Sequence, residues 1–546
     1  MTSRQILSAF ALLLAPPMAA QQTAMSSRDS AYHVLNRLAY GATPGLVDRI
    51  AQEGVLAWID RQLGVAQVDD PSLGGLGRQF AVLSATPEEL LSSYVRVQQA
   101  RRTERRMAGE DSAMSPGDRR RNPPPEARAL RAIGGELQQL VLVRATRSEH
   151  QLAEVMADFW SNHFNVFYGK NLDRVYLPDY IERTIRRNAL GKFERLLAAT
   201  ARSPAMMVYL DNAMSVAPGS RPPQLDRRRL LSRPGGPGAR RADSLRQALQ
   251  QRMPTGLNEN YARELMELHT LGVDGGYTQR DVTEVARVLT GWSVDRPMQG
   301  GGFAFHDWAH DRGVKTVLGV EFPAGRGEEE GERLLTMLAE HASTSHFVSA
   351  KLCARFVSDV PPDGCVDDAV RAWKRSGGEI REVLRAIFRS PDFWAASNVG
   401  AKIKTPLEFV TSAVRAVGGV PDTTARLAQA VARLGQPLYL HTAPNGYPER
   451  QDDWVNSGAL LNRMNLAVQL AANRLPGVTV DLDAVLPPSG SHGALVDAVD
   501  RLILGGKMSR DTRKVILEQI ADLPDPATAR ALAVGLAIGG PEFQRQ

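Results

Sequence analysis

The residues best placed to do chemistry lie in one helix-forming stretch, Gly256–Trp292. Asn260, Glu264 and Glu267 recur there at helical spacing and form one polar stripe along a predicted helix. Two carboxylates on one helix face can serve as general acid and base, or as oxygen ligands together with the amide. The structural alternative is a solvated stripe paired with arginines such as Arg263. The sequence therefore predicts Glu264 and Glu267 as candidate catalytic residues.

Four further residues, His163, Asp211, His310 and Asp311, have side chains that bind divalent metals. Imidazole nitrogens and carboxylate oxygens are common ligands of catalytic zinc, and such a metal activates water for hydrolysis. Each residue also has a structural alternative, because a histidine can satisfy its ring nitrogens in the core and an aspartate can cap a helix or a turn. We predict these four as metal ligands, with a divalent metal as the candidate cofactor.

The familiar catalytic templates are absent from the sequence. It contains no HExxH, no GxSxG, no phosphate-binding loop and no GxGxxG after a strand-like run. The formal net charge of +6 is small for 546 residues, and much of the arginine falls in two segments rich in proline and glycine. A nucleic-acid binder carries its positive charge on an ordered face, so the composition argues against nucleic acid as a partner.

The only two cysteines are Cys353, within a predicted helix, and Cys365, which starts the next helix after a Pro-Pro-Asp-Gly turn. A disulfide between them would staple this helix-turn-helix, as is common in oxidising compartments. Two buried free thiols are the alternative. A structural zinc site is disfavoured, since two thiolates need two more ligands and none lies nearby in the sequence. We predict the disulfide.

The elements that must position these residues are helices. Apolar side chains recur at helical spacing through most of the chain, which predicts a mainly α fold, an irregular multi-helix array with one small β-hairpin near residues 303–320. Residues 30–475 form the predicted main helical domain, and residues 476–546 a small C-terminal helical segment. Residues 101–128 and 216–242 are rich in arginine and proline and are predicted to be mobile loops.

The N-terminus is typical of a secretory signal peptide over residues 1–20. Arg4 precedes a short apolar run, Ile6–Ala15, and small and polar residues follow it. The run is too short to span a bilayer, and no later segment approaches about 20 uninterrupted apolar residues. The sequence predicts a periplasmic or secreted protein with no transmembrane segment.

Several segments between roughly residues 31 and 473 carry recognisable motifs: Leu35–Gly41, Phe159–Val166, Met206–Asn212, Asn258–Glu264, Gly291-Trp292, His310-Asp311, Lys315, Leu318-Gly319, Lys351-Leu352, Ser390–Phe393, Lys402–Phe409, Gly435–Leu438, Trp454 and Arg463–Asn465. Together these segments resemble the bacterial family called "domain of unknown function 1800". The resemblance implies a mostly helical, exported bacterial protein, and it implies no established activity.

Two functional hypotheses follow from the sequence. The first is an extracytoplasmic, metal-assisted hydrolase that acts on an envelope or extracellular polymer, and it rests on the polar residues named above. The second is a non-catalytic binding or assembly partner of another exported protein, and it rests on the missing catalytic templates. The first predicts that the polar residues converge on one cleft. The second predicts an exposed apolar or aromatic patch.

Overall fold

The computed structural model describes residues 25–65, 70–107, 125–220, 256–488 and 490–546. Helices make up 61% of the structure, so the predicted mainly α fold is confirmed. The predicted signal peptide lies outside the described residues. In chain order the helices are α1 (Ser27–Leu38), α2 (Leu46–Glu53), α3 (Val55–Leu63), α4 (Leu76–Gln79), α5 (Pro87–Met107), α6 (Pro125–Arg147), α7 (Gln151–His163), α8 (Asp173–Asp179), α9 (Phe193–Ala201), α10 (Pro204–Tyr209), α11 (Asn260–Glu264), α12 (Gln279–Val288), α13 (Glu329–Glu340), α14 (Ala342–Phe356), α15 (Asp363–Ser376), α16 (Ile380–Arg389), α17 (Pro406–Ala416), α18 (Arg426–Arg433), α19 (Ser457–Ala471), α20 (His492–Ile503), α21 (Arg510–Ile520), α22 (Pro526–Gly539) and α23 (Pro541–Gln544).

Part of the arginine-rich stretch 101–128, which was predicted to be a loop, is helical at both ends. Helix α5 continues to Met107, and α6 already begins at Pro125. Arginine, glutamate, alanine and methionine have high helix propensity, and this sustains the helix where apolar periodicity has stopped. Residues 108–124, and residues 221–242 of the second predicted loop, lie outside the described part of the chain.

The helix-forming stretch Gly256–Trp292 contains two helical segments. Helix α11 continues without a break as a π-helix, Leu265–Thr270, in which each turn holds one extra residue. Helix α12 begins with a capping box, because the Thr278 side chain accepts from the Asp281 amide and the Asp281 side chain accepts from the Thr278 amide. Its apolar face is buried, and this fixes the orientation of both segments against the core.

The predicted small β structure near residues 303–320 is present, as two short antiparallel pairs where one hairpin was predicted. In the described part of the chain, β1 (Trp292–Val294) pairs with β2 (Phe303–Phe305), and β3 (Lys315–Val317) pairs with β4 (Val320–Phe322), both antiparallel. Leu318 and Gly319 join the latter pair, with φ of 50° and 78°. Positive φ at both positions of a two-residue turn directs β3 back onto β4, so β2 pairs with the strand before it. A third pair, β5 (Val420–Pro421) with β6 (Val478–Thr479), ties α17 to the C-terminal region.

One hydrophobic core runs from α1 to α23, and it crosses the predicted boundary at residue 475. Helix α22 packs closely on α19 at two glycines. A Cβ atom on Gly535 would meet the Val468 Cα atom at 2.8 Å, and one on Gly539 would meet the Met464 sulfur at 2.3 Å. Backbones can approach this closely only where the side chain is missing. The C-terminal helices therefore contribute to the same core as the rest of the chain.

Cys353 on α14 and Cys365 on α15 form a disulfide, and both side chains are fully buried. The prediction of a bridge is confirmed. The bridge closes a loop with a sequence separation of 12 residues. Among the described residues, no helix is long and apolar enough to cross a membrane.

The disulfide yields the first testable prediction. Replacing both cysteines with alanine is expected to lower the free energy of unfolding by about 3 kcal/mol, because the bridge limits the entropy of the unfolded chain. Urea denaturation of the oxidised protein and the C353A/C365A variant measures the difference. A reductant should produce a similar loss in the wild type and none in the variant. Equal stability of the oxidised wild type and the variant would contradict the prediction.

Candidate functional site

The polar cleft that α7, α14 and α17 form with the 436–449 loop brings together four charged side chains. It has a free volume of about 40 Å³, room for a few water molecules or one small group. Its polar lining comes from four separate parts of the chain: Asp158, Ser161, Asn162 and Asn165 from α7 and its end, Arg355 from α14, Thr405 and Glu408 at the start of α17, and Gln436, Tyr439, Tyr447 and Glu449 from the loop. We call it the Asp158 cleft.

Burial in the Asp158 cleft favours the protonated form of Asp158. Burial raises the pKa of the Asp158 carboxyl from 3.8 to about 7, and the negative charges of Glu449 and Glu408 act in the same direction, while Arg355 opposes them. Asp158 is partly exposed to the cleft, so a reactant can reach its carboxyl group. A carboxyl group that titrates near neutral pH can both donate and accept a proton there.

Glu408 lines the same cleft but, unlike Asp158, is in its charged form. Burial alone would raise the pKa of Glu408, but the ion pair with Arg355 and hydrogen bonds from neighbouring groups outweigh it and lower the pKa to about 2. The Glu408 carboxylate also accepts from the Thr405 amide at 2.8 Å, which completes a capping box at the start of α17. Two carboxyl groups, Asp158 and Glu408, thus share one guanidinium, and only Glu408 is directly paired with it.

The loop that carries Glu449 is fixed to the end of α7 by side-chain amides. The Asn162 side chain accepts from the Tyr447 amide at 2.6 Å and donates to the Tyr447 carbonyl at 2.8 Å. It thus forms the two hydrogen bonds that a neighbouring backbone segment would otherwise form with Tyr447. Asn165 donates to the carbonyls of His441 and Ala443. Gly446 lies against this contact with φ of 71°, and a Cβ atom there would meet the Asn162 carbonyl oxygen at 2.3 Å. Only glycine allows this close approach.

Tyr439 has a strained backbone beside Asp158. Its φ is 60°, in the left-handed region that bulky residues rarely adopt and that costs on the order of 1–3 kcal/mol. Its side chain lines the Asp158 cleft and also an adjoining cavity of about 20 Å³, which Asp158 and Ser161 share. The Asp158 carboxyl group contributes to the raised pKa of the Tyr439 phenol, after burial. The phenol is therefore neutral and lies close to the carboxyl group.

His163 is the one predicted site residue that lies beside this cleft, and its ring nitrogens are both occupied. Nε2 is 3.1 Å from the His269 carbonyl oxygen, so this nitrogen carries the hydrogen. Nδ1 accepts from the Lys351 ammonium at 3.0 Å. Burial, and then Lys351, lower the pKa of His163 well below its usual value, so the ring is neutral. Glu449 in turn attracts the Lys351 ammonium, which links His163 to the cleft.

The other three predicted metal ligands each hold a different partner. Asp211 binds the Lys170 ammonium with both oxygens at 2.9 Å. Asp311 forms a two-point ion pair with Arg287 at 2.8 and 3.1 Å. His310 is buried, with Nδ1 at 2.8 Å from the Thr290 carbonyl and Nε2 at 3.3 Å from the Glu330 carboxylate.

Glu330 is also held by the buried ammonium group of Lys315, at 2.7 Å. In the described part of the chain no group of three or more His, Cys, Asp or Glu side chains is arranged to hold a metal ion. The structure therefore gives no support to a metal centre made of His163, Asp211, His310 and Asp311, because these residues do not form such a group and the two aspartates and the His163 ring already contact cationic side chains.

The predicted catalytic pair, Glu264 and Glu267, lies on one helix face but away from the cleft lining. Burial, followed by the charge of Glu267, raises the pKa of Glu264. The Tyr277 hydroxyl donates to Glu267 at 3.5 Å, a weak contact. Asn260 donates to the Leu210 carbonyl at 3.3 Å. The Asn260 end of the stripe therefore packs near the end of α10.

Comparison with known proteins decides the family. The family described as "Protein of unknown function (DUF1800)" matches residues 33–545, nearly the whole chain. The chain belongs to this family. The match extends past residue 473, where the resemblance of individual segments ends, and includes the C-terminal helices. No curated protein and no solved structure matches the chain.

The sequence analysis did not predict Asp158, Arg355, Glu408 or Glu449 as site residues. Three of the segments that line the cleft nevertheless stood out in the sequence. Phe159–Val166, Lys402–Phe409 and Gly435–Leu438 carry the resemblance to the DUF1800 family, and each of these segments supplies residues to the cleft lining. Asp158 comes directly before the first of them. It follows Val155 by three residues on α7, so it is an acid next to the apolar face of a helix.

Proposed function

We propose that this DUF1800 protein is a hydrolase that uses the Asp158 cleft for general acid–base catalysis. The observation that carries the proposal is the convergence of Asp158, Glu449 and Arg355 from three distant parts of the chain on one water-sized polar cleft. Hydrolysis needs a group that activates water and a group that protonates the leaving atom, and two carboxyl groups can fill these roles.

In this proposal Asp158 is the group that gives and takes the proton. Its pKa of about 7 lets it do both at neutral pH. Arg355 supplies a fixed positive charge that favours an oxyanion developing on the substrate. Glu449, on the opposite loop, is the second carboxyl group. Metal assistance is not part of the proposal, since the four candidate ligands have the partners described above.

Export belongs to the same proposal. It is supported by the signal-like segment before residue 21 and by the buried disulfide, which forms and persists in oxidising compartments. An exported hydrolase meets envelope or extracellular polymers, and we propose these as its substrates. Fractionation of the native host, with the protein located by antibody and its N-terminus sequenced, tests export. Recovery of the intact N-terminus from the cytoplasm would contradict it.

The catalytic proposal is tested by assaying the mature protein on isolated peptidoglycan, extracellular polysaccharide and chromogenic esters and glycosides. The D158N variant is expected to release soluble product at least about 100-fold more slowly, because a positioned acid–base group contributes 10²–10⁴-fold. E449Q should also be impaired. The exposed Asp274→Asn variant is the matched control and should keep full activity. Equal rates for D158N and wild type, or no product from any substrate class, would refute the proposal.

The second candidate function is binding to another exported protein, and one observation favours it. Val455, Leu460 and Leu461 are 40%, 39% and 61% exposed at the start of α19, and apolar residues so exposed and so close in sequence are typical of interaction surfaces. Immobilised protein should then retain a specific partner from the periplasmic fraction, and the L460D/L461D variant should not. Identical capture by both would end this candidate.

A further inference from the structure

A second cavity, separate from the Asp158 cleft, is lined mainly by basic side chains. It lies where the segment after the π-helical turn Tyr180–Arg186 meets the start of α16, and its volume is about 350 Å³. That volume falls at the lower end of the range for small-ligand sites. Its charged lining residues are Arg186, Arg187, Lys192, Arg195, Arg381 and Glu379.

The positive charge of this cavity is only partly neutralised. Arg186 is buried and forms a two-point ion pair with Glu154, at 2.6 and 2.7 Å. Lys192 pairs with Glu194 at 2.8 Å. Arg187, Arg195 and Arg381 have no acidic oxygen within 4.0 Å among the described residues.

Three unpaired guanidinium groups therefore face one lining acid, Glu379, whose carboxylate can offset only one of them. Arg187 and Arg195 are exposed at the mouth of the cavity. This excess positive charge attracts anions into the cavity, because a cleft lined by charges of one sign has a stronger local electrostatic potential than a flat surface.

Arg381 is fixed in place and retains an unused donor. Its Nη2 atom donates to the Val65 carbonyl at 2.6 Å, which holds the guanidinium at the cavity wall. Its Nε atom is buried and has no hydrogen-bond partner in the described part of the chain. A buried donor without a partner costs free energy, so Arg381 retains hydrogen-bonding capacity that its present contacts do not use.

The backbone holds the two walls of the cavity in register. The Ile380 amide donates to the Gly191 carbonyl at 3.0 Å, and the Phe193 amide donates to the Gly378 carbonyl at 2.9 Å. This antiparallel bridge places the N-terminus of the ten-residue helix α16 at the cavity, where Arg381 is in its first turn. The positive end of the helix dipole adds to the guanidinium charges.

We infer that this cavity binds a small anion that carries at least two oxyanion groups, such as a diphosphate or a polycarboxylate. Planar guanidinium groups bind phosphate and carboxylate oxygens in pairs, and three unpaired guanidiniums need more than one such group. This site is independent of the proposed hydrolase activity, and its test needs no turnover.

The experiment is calorimetric titration of the mature protein with pyrophosphate and, separately, with citrate, at constant ionic strength. One-site saturable binding of either ligand is expected. The R187Q/R195Q variant should bind on the order of 100-fold more weakly, since each charged contact contributes roughly tenfold. Both arginines are exposed, so these changes spare the core.

The matched control is R371Q/R375Q, which removes two exposed arginines of α15 outside the cavity and changes the net charge equally. It should keep its affinity within about twofold. Preference for pyrophosphate would assign the phosphate class, and preference for citrate the polycarboxylate class. Absence of saturable binding of both ligands, or an equal loss in the two double variants, would overturn the inference.

Discussion

The D158N variant is expected to be more stable than the wild type at pH 8, by about 2–4 kcal/mol, and no more stable at pH 4. Asp158 has a pKa of 3.8 in the unfolded chain and about 7 in the folded protein. Between these values the folded state keeps a proton that the unfolded state has released, so wild-type stability falls as pH rises. One pKa unit is worth about 1.36 kcal/mol, and partial exposure of the side chain reduces the full effect.

Asparagine removes this dependence because it does not titrate. Urea denaturation at pH 4, 6 and 8 measures the difference, and the difference should grow steadily with pH. The D274N control changes an exposed aspartate and should stay within about 0.5 kcal/mol of the wild type at each pH. A D158N difference that is the same at pH 4 and pH 8 would show that the carboxyl group is not desolvated. Combined with loss of activity, the expected gain in stability would identify Asp158 as a residue retained for function.

The E408Q variant is expected to lose about 3–5 kcal/mol of stability at pH 7. Glu408 is the carboxylate that compensates a group of buried cations, Arg37, Arg355, Lys404 and Arg463. Removing one partner of a buried ion pair leaves the other charge uncompensated, and this costs more than the pair itself contributes. Glutamine keeps the size of the side chain and can still accept from the Thr405 amide, so the loss reports the charge.

The surroundings of Glu408 explain why the loss should be large. Lys404 is completely buried, its ammonium group has no hydrogen-bond partner among the described residues, and burial lowers its pKa to about 7. Its nitrogen lies 3.9 Å from the centre of the Phe543 ring, which stabilises the charge only in part. Arg463 and Arg37 also have buried donor atoms without partners in the described part of the chain. Glu408 is thus the main negative charge that these groups share.

The pH dependence of Glu408 has the opposite sign to that of Asp158. Its pKa is 4.5 in the unfolded chain and about 2 in the folded protein, so its contribution of about 3 kcal/mol is present above pH 4.5 and is lost as pH falls towards 2. The E408Q and wild-type stabilities should therefore converge in acid. The E53Q variant removes one partner of the exposed Arg61–Glu53 pair and should cost at most about 1 kcal/mol. If E408Q lost no more stability than E53Q, the explanation that Glu408 compensates buried cations would be contradicted.

The local elements of this protein could be predicted from the sequence because local interactions decide them. Cys353 and Cys365 form the predicted bridge, and Thr278 and Asp281 form a capping box, since in each pair the two residues are near in the chain. Helical periodicity predicted the mainly α fold for the same reason. The small β structure near residues 303–320 was predicted as well, but the number of antiparallel pairs was not, because strand pairing depends on how neighbouring segments pack.

The candidate site depended on contacts that no local pattern contains. Asp158, Arg355, Glu408 and Glu449 are far apart in the sequence, and only the packing of α7, α14 and α17 brings them to one cleft. Burial then separates the pKa values of Asp158 and Glu408, although both begin as ordinary carboxyl groups. The same packing gave Asp211, Asp311 and His163 partners that the sequence could not assign. The sequence by itself determined the helices, their caps and the family, whereas tertiary burial and long-range charge pairing decided which polar residues are free to act.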